Sequence, residues 1–235
     1  PGAKGPLPDF IKNEFLEILH IQNTSLSGTI SITQLAASAA TLQILRIMNN
    51  KFSLIDNLFA NENNNFNALK KIDLKKNRIN GYVITSESIK GCPALQEFNI
   101  ASNKRSAIPL GDSALYGRDA LPASSGFSGQ VPDFSSCPSL KKCILSGNSI
   151  TNYVAGSLSN NILLEKLDIG NNDLSLIAAQ VLLIDLYINY TSAKRSGVVI
   201  NIAGNGFNKE SLLGDSEARN SAYEVLVSAG WTLTI

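Results

Sequence analysis

The sequence predicts an α/β solenoid with a parallel sheet along its concave side, a mixed convex side, and a closing helix and strand. Three observations carry this. Six stretches fit the spacing L-x-x-L-x-L-x-x-N-x-L. Their starting leucines, Leu16, Leu42, Leu69, Leu95, Leu140 and Leu164, stand 26, 27, 26, 45 and 24 residues apart, so the period is nearly constant except at one interval. The 235-residue chain is 44% hydrophobic, enough to fold as a single elongated array covering residues 1–235.

The six copies are LEILHIQNTSL (16–26), LQILRIMNNKF (42–52), LKKIDLKKNRI (69–79), LQEFNIASNKR (95–105), LKKCILSGNSI (140–150) and LEKLDIGNNDL (164–174); GVVINIAGNGF (197–207) is a weaker seventh. Within each, residues two apart point to the same side of a short strand. In the third copy this sends Ile72 and Leu74 inward and Lys71, Asp73 and Lys75 outward. Seven such strands are expected, with an eighth near Trp231 to Ile235. After each strand the chain turns away, and the turn leaves backbone polar groups facing the interior. An inward asparagine carries both a donor and an acceptor for them. Asn50, Asn77, Asn103, Asn148, Asn172 and Asn205 are therefore expected to stack as a ladder, with Thr24 as its first rung.

Two segments depart from the period. The 45-residue interval holds KRSAIPLGDSALYGRDALPASSG (104–126), rich in Gly, Pro, Ser and Ala, which reads as a loop leaving the sheet just after the fourth rung. Beyond the sixth copy, residues 174–190 have a helical apolar pattern. A cap over about 206–235 follows: one helix in NKESLLGDSEARNSAYEVLVSAG, stopped by Gly230, and a closing strand in WTLTI.

These copies resemble the leucine-rich repeat family over nearly the whole chain. The linking segments SLSGTI (25–30), GPLPDFIKNEFL (5–16) and FSGQVPDFSSCPSL (127–140) resemble the L-x-G-x-(I/V/L)-P pattern of its plant-like subclass. Gly5 and Gly129 precede Leu16 and Leu140 by the same interval, so the opening residues read as the tail of a repeat, with an earlier repeat or cap expected before them. The ending, LLIDLYINYTSAKRSGVVINIAGNGF and then YEVLVSAGWTLTI, resembles the terminal segment of leucine-rich repeat proteins from tailed bacteriophages and Bacteroidetes-type bacteria.

Composition and motifs weigh against several activities. With 20 basic and 19 acidic residues, the overall charge of +1 gives no reason to expect nucleic acid or an anionic membrane as a partner. The apolar run VLLIDLYINY (181–190) is shorter than the roughly 20 residues of a spanning helix, so no membrane insertion is expected. The opening PGAKGPLPDF has no charged-then-apolar leader, which suggests a fragment or a mature chain.

A single histidine, His20, on an outward position leaves no multi-histidine metal site and no common triad. Asp73 and Asp168 share an outward column but sit too many repeats apart to act as a carboxylate pair. GDSAL (111–115) looks superficially like a lipase motif but has no histidine to partner it. Cys92, Cys137 and Cys143 are odd in number and lack a C-x-x-C pair; Cys143 reads as an inward structural thiol. Cys92 and Cys137 each precede Pro-x-Leu in successive repeats, so they are expected near one another, with a disulfide left open. Asn23 and Asn189 begin sequences that match the glycosylation pattern. No cofactor or metal is expected.

What remains is the outward surface. Lys70, Lys71, Lys75, Lys76, Arg78, Lys104 and Arg105 form a basic patch that Lys141, Lys142 and Lys166 continue. The candidate ligand-binding residues are Arg46, Lys71, Asp73, Lys75, Glu97, Asn99, Lys142, Lys166 and Asp168 on the sheet, with Tyr116 and Arg118 on the insertion. The function expected is a non-enzymatic recognition module that takes a protein or cell-surface glycan on its concave face. It would be the receptor-binding or adhesive part of a phage virion, such as a tail fibre, or of a bacterial surface protein, and so extracellular or on the virion surface. Two alternatives stay open: a targeting arm of a larger enzyme or effector, and a structural virion or filament subunit, with oligomerisation through the N-terminal part.

Overall fold

The computed structural model describes residues 4–60, 65–106 and 123–235. Eight parallel strands form the main sheet in chain order: β1 (Ile18–Gln22), β2 (Ile44–Met48), β3 (Lys71–Asp73), β4 (Glu97–Asn99), β5 (Lys142–Ile144), β6 (Lys166–Asp168), β7 (Val199–Asn201) and β8 (Thr232–Thr234). Seven belong to the repeats and the eighth closes the array, as the spacing predicts. The register is unbroken, so that His20, Arg46, Asp73, Asn99, Ile144, Asp168, Asn201 and Thr234 line up across the strands. The alternate row, Leu19, Leu45, Ile72, Phe98, Cys143, Leu167 and Ile200, is buried in the core. Phe98 meets Phe134 edge to face at 5.7 Å between ring centroids.

The asparagine ladder is present. Asn148 donates through Nδ2 to Ile100 O at 2.9 Å and Leu145 O at 2.8 Å, while its Oδ1 accepts from Phe127 N at 3.0 Å. Asn172 and Asn205 repeat that arrangement one and two coils on. Each side chain thus ties its own turn to the preceding repeat. Thr24 is a rung by a different route, donating its backbone N–H and its hydroxyl to Asn50 Oδ1. Asn77 is the incomplete rung: Nδ2 reaches Ile47 O and Leu74 O, but Oδ1 is buried without a partner.

The residue before each rung is left-handed: Asn23, Asn49, Lys76, Ser102, Gly147, Asn171 and Gly204 all have positive φ. Glycine and asparagine take this conformation easily, whereas other L-residues lose about 1–2 kcal/mol in it. Lys76, at φ 58°, is the bulkiest side chain of this series. Lys76→Gly is therefore expected to raise stability by about 0.5–1 kcal/mol, after allowing for the looser unfolded chain. The same change at Lys75 should lower stability, and thermal denaturation of the two variants checks the contrast.

The linking segments are more ordered than their composition suggests. Lys4–Gly5, Ser25–Ile30 and Lys51–Ile55 form a second, three-stranded parallel sheet. Asn80–Ile84, Ser124–Gln130 and Ser149–Asn152 form a third, with Lys104–Arg105 antiparallel to Ser124–Gln130. The expectation of a loop across 104–126 is corrected at both ends, where Arg105 pairs with Ser124 and Lys104 with Ser125. Its centre, with Tyr116 and Arg118, lies outside the described residues.

At the C-terminal end, helix α1 (Leu176–Ala193) begins at Ser175, whose side chain accepts from Ala178 N. It is the one helix among the described residues long and apolar enough to cross a membrane by length and composition. Here it lies in the solenoid, with Ala178, Ala179, Leu182, Leu183 and Leu186 buried. Its one charged side chain, Asp185, is also buried and accepts from Tyr153 Oη and Gly156 N, both at 2.6 Å. The single capping helix expected from the sequence is instead two, α2 (Lys209–Leu213) and α3 (Glu217–Ser228). Gly214, at φ 51°, ends the first. Trp231 then anchors β8 by donating Nε1–H to Arg195 O at 2.8 Å.

Candidate binding face

The parallel register brings the sheet residues of the candidate site onto one surface. Lys71, Glu97, Lys142 and Lys166 form one row, and Arg46, Asp73, Asn99 and Asp168 the adjacent one. Strands lie about 4.8 Å apart, so neighbouring members of a row are within reach of each other. Glu97 sits between Lys71, with which it forms an ion pair, and Lys142 Nζ at 3.7 Å. Partial burial opposes its ionisation, but the bond from Lys71 and the charges of Lys71, Lys142 and Arg46 outweigh that and hold the carboxyl below its ordinary range.

The acidic and amide residues of the adjacent row have a further, structural role. Asp73 Oδ1 accepts from Lys75 N, Asn99 Oδ1 from Ala101 N, Asp168 Oδ1 from Gly170 N and Asn201 Oδ1 from Ala203 N, at 3.1–3.3 Å. Each is a side-chain turn two residues long, which Asp and Asn form readily. The outward position assigned to Asp73 is thus correct in register, yet its side chain is only 7% exposed because the carboxylate folds back onto its own strand end and toward Lys75 Nζ at 3.7 Å. Asp168 is engaged more fully, accepting also from Ser146 Oγ at 3.2 Å and Asn201 Nδ2 at 2.9 Å. Sequence reasoning missed this coupling. The signal was the Asp or Asn that precedes an inward Leu or Ile in IDL, FNI, LDI and INI.

The remaining patch residues divide. Lys104 turns to Asp173 at 3.0 Å and Lys70 to Gln43 at 3.1 Å, while Arg78 is buried, with an interaction of its own. The outward side chains at or just beyond the strand ends shrink along the array, from Gln22, Met48 and Lys75 to Ala101, Ser146, Gly170 and Ala203. No Phe, Tyr or Trp stands in these outward rows.

His20 is exposed on β1. Among the described residues no group of three His, Cys, Asp or Glu is placed to hold a metal. The three cysteines are free and buried. Cys137 lies beside Cys92, its Sγ donating to Cys92 O at 3.3 Å. Burial is the main cause that raises all three thiols, Cys137 to about 11, so none is poised as a nucleophile. The next coil places Asn161 in the same column, donating to Phe134 O and Cys137 O. Asn189 is wholly buried and bonded to Leu158 O, which rules it out as a glycan acceptor in the folded chain.

No family model and no curated protein matches the chain. Solved structures do. The plant peptide hormone receptor RGFR1 in complex with RGF2 aligns over 98% of this chain and 35% of its own, at 18% identity and a TM-score of 0.54. PEPR1 with AtPEP1 aligns over 73% of this chain and 24% of its own, at 24% identity and a TM-score of 0.48. The chain therefore spans about a third or less of the length of these two structures. With its in-register sheet and asparagine ladder, this chain has the leucine-rich repeat fold.

Proposed function

We propose that the chain is a non-enzymatic, protein-recognition module that presents its concave sheet to an extracellular partner. The observation that carries this reading is the unbroken register of β2 to β6, which gathers charged side chains from five repeats on one rigid face. A rigid platform lowers the ordering cost of binding, since little of it has to be fixed when a partner arrives. The similarity to a receptor solved with a peptide hormone is compatible with a protein partner and an extracellular location. The finer form of the reading, a receptor-binding or adhesive part of a virion or bacterial surface protein, rests on the C-terminal ending, and Tyr116 and Arg118 belong to it as candidate contacts.

The test is an array of extracellular protein domains and surface glycans, screened with the wild type and with a Lys71→Glu, Lys75→Glu variant. The variant should stay folded by circular dichroism and bind its protein targets at least about tenfold more weakly, roughly 1.4 kcal/mol. Unchanged binding by a folded variant would move the site off the concave face.

A further inference from the structure

Resting on that reading, we infer that the partner segment is a short, extended, acidic peptide stretch laid across strands β2 to β6. The face carries five cations, Arg46, Lys71, Lys75, Lys142 and Lys166, against three carboxylates, and the two signs are not equally available. Asp73 is folded back onto Lys75 N, and Asp168 is bonded to Ser146, Gly170 N and Asn201. Glu97 is held between Lys71 and Lys142. The carboxylates are thus committed within the face, whereas Arg46 and Lys166 make no direct ion pair among the described residues. A partner therefore meets net positive charge, and like charges brought against it would be repelled.

Geometry sets the length and the charge spacing. From β2 to β6 is four strand spacings, about 19 Å, which an extended chain covers in roughly six residues at 3.3 Å each. Lys71 and Lys142 flank Glu97 two spacings apart, about 10 Å, or three extended residues. Acids three to six residues apart fit this pattern, with a neutral or basic residue between them opposite Glu97. The small, half-buried Ser146, between the buried Ala101 and Gly170, lets a main chain come close there, and Asn99 Nδ2, without a partner among the described residues, is a donor for its carbonyls. A peptide fits better than an anionic glycan because the outward rows of β2 to β6 offer no aromatic ring for a sugar to stack on.

The experiment is panning of a random dodecapeptide display library on the full chain, followed by titration of the selected synthetic peptides. Selected peptides should be enriched in Glu and Asp at three-to-six-residue spacing. They should bind at least tenfold more weakly to a Lys142→Gln, Lys166→Gln variant and lose affinity as salt is raised. Neutral or basic selected peptides that still lose affinity in that variant would overturn the acidic-segment inference and leave the recognition reading standing. Dextran sulfate binding through the same face, with no acidic peptide selected, would overturn it in favour of an anionic glycan. Peptides that bind the variant and the wild type alike would overturn both.

Discussion

Asn148→Ala is expected to lower stability by about 3 kcal/mol, against a change within about 0.5 for Lys75→Ala. The alanine leaves Phe127 N without its partner and takes one of two side-chain donors from Ile100 O, which Asn103 also reaches, and from Leu145 O, which Asn172 also reaches, all in the interior. The N–H left unpaired costs about 1–3 kcal/mol and each lost carbonyl bond about 0.5–1.5, and a solenoid that can relax locally should recover part of that sum. Asn77→Ala should cost less, about 2 kcal/mol, since it orphans only Ile47 O, takes one of two side-chain donors from Leu74 O, which Asn103 also reaches, and removes an Oδ1 that is already unpaired. Urea denaturation midpoints should therefore fall in the order Lys75→Ala, Asn77→Ala, Asn148→Ala, from highest to lowest. Equal midpoints for the asparagine and lysine variants would mean that the ladder does not hold the turns. Because each rung bonds to the repeat before it, the loss acts on the interface between coils, which is where a repeat array draws its cooperativity.

The same bonds explain which parts of the fold the sequence discloses. Rows such as Leu45, Ile72 and Phe98 recur at fixed phase because every coil must bury the same positions, and the asparagine recurs because every coil makes the same turn. The register could thus be read residue by residue. The second and third sheets were hidden because SLSGTI and FSGQVPD are short and rich in Ser and Gly, and their strands are defined by backbone pairing between coils rather than by an apolar stripe. Asn161 was hidden for another reason: its column holds Phe66, Cys92 and Cys137 in earlier coils, so no repeated residue type marks the position. In the candidate site, membership of a row was legible and availability was not. Whether Asp73 or Asp168 faces a partner or its own strand end depends on a side-chain turn two residues long.

Gly129→Ala is expected to be the most damaging single methyl group that the second-layer sheets can receive. A Cβ there would stand 2.4 Å from Ile84 O, 3.0 Å from Val83 Cγ1 and 3.1 Å from Ile84 N, and φ is +86°. Gly129 is paired with Ile84 on one side and Ile150 on the other, and its carbonyl accepts from Thr151 Oγ1 at 3.0 Å, so it cannot move away without breaking bonds to both neighbours. The left-handed backbone alone costs an alanine about 1–2 kcal/mol, and forcing the strands apart adds about 1–3. A loss of about 2–5 kcal/mol corresponds to a Tm lower by roughly 10 °C in a chain of this length. Gly28 is the control. It has φ +90° on the strand Ser25–Ile30, but open space where its Cβ would point. Gly28→Ala should therefore show only the backbone part, about 1–2 kcal/mol. Differential scanning calorimetry of the two variants separates strain from crowding. If both fall by the same amount, the close approach of Ser124–Gln130 to Asn80–Ile84 is not what the glycine is there to allow. If Gly129→Ala falls further, the glycine of L-x-G-x-(I/V/L)-P is fixed at this repeat by contact between coils, and at Gly28 by backbone conformation alone.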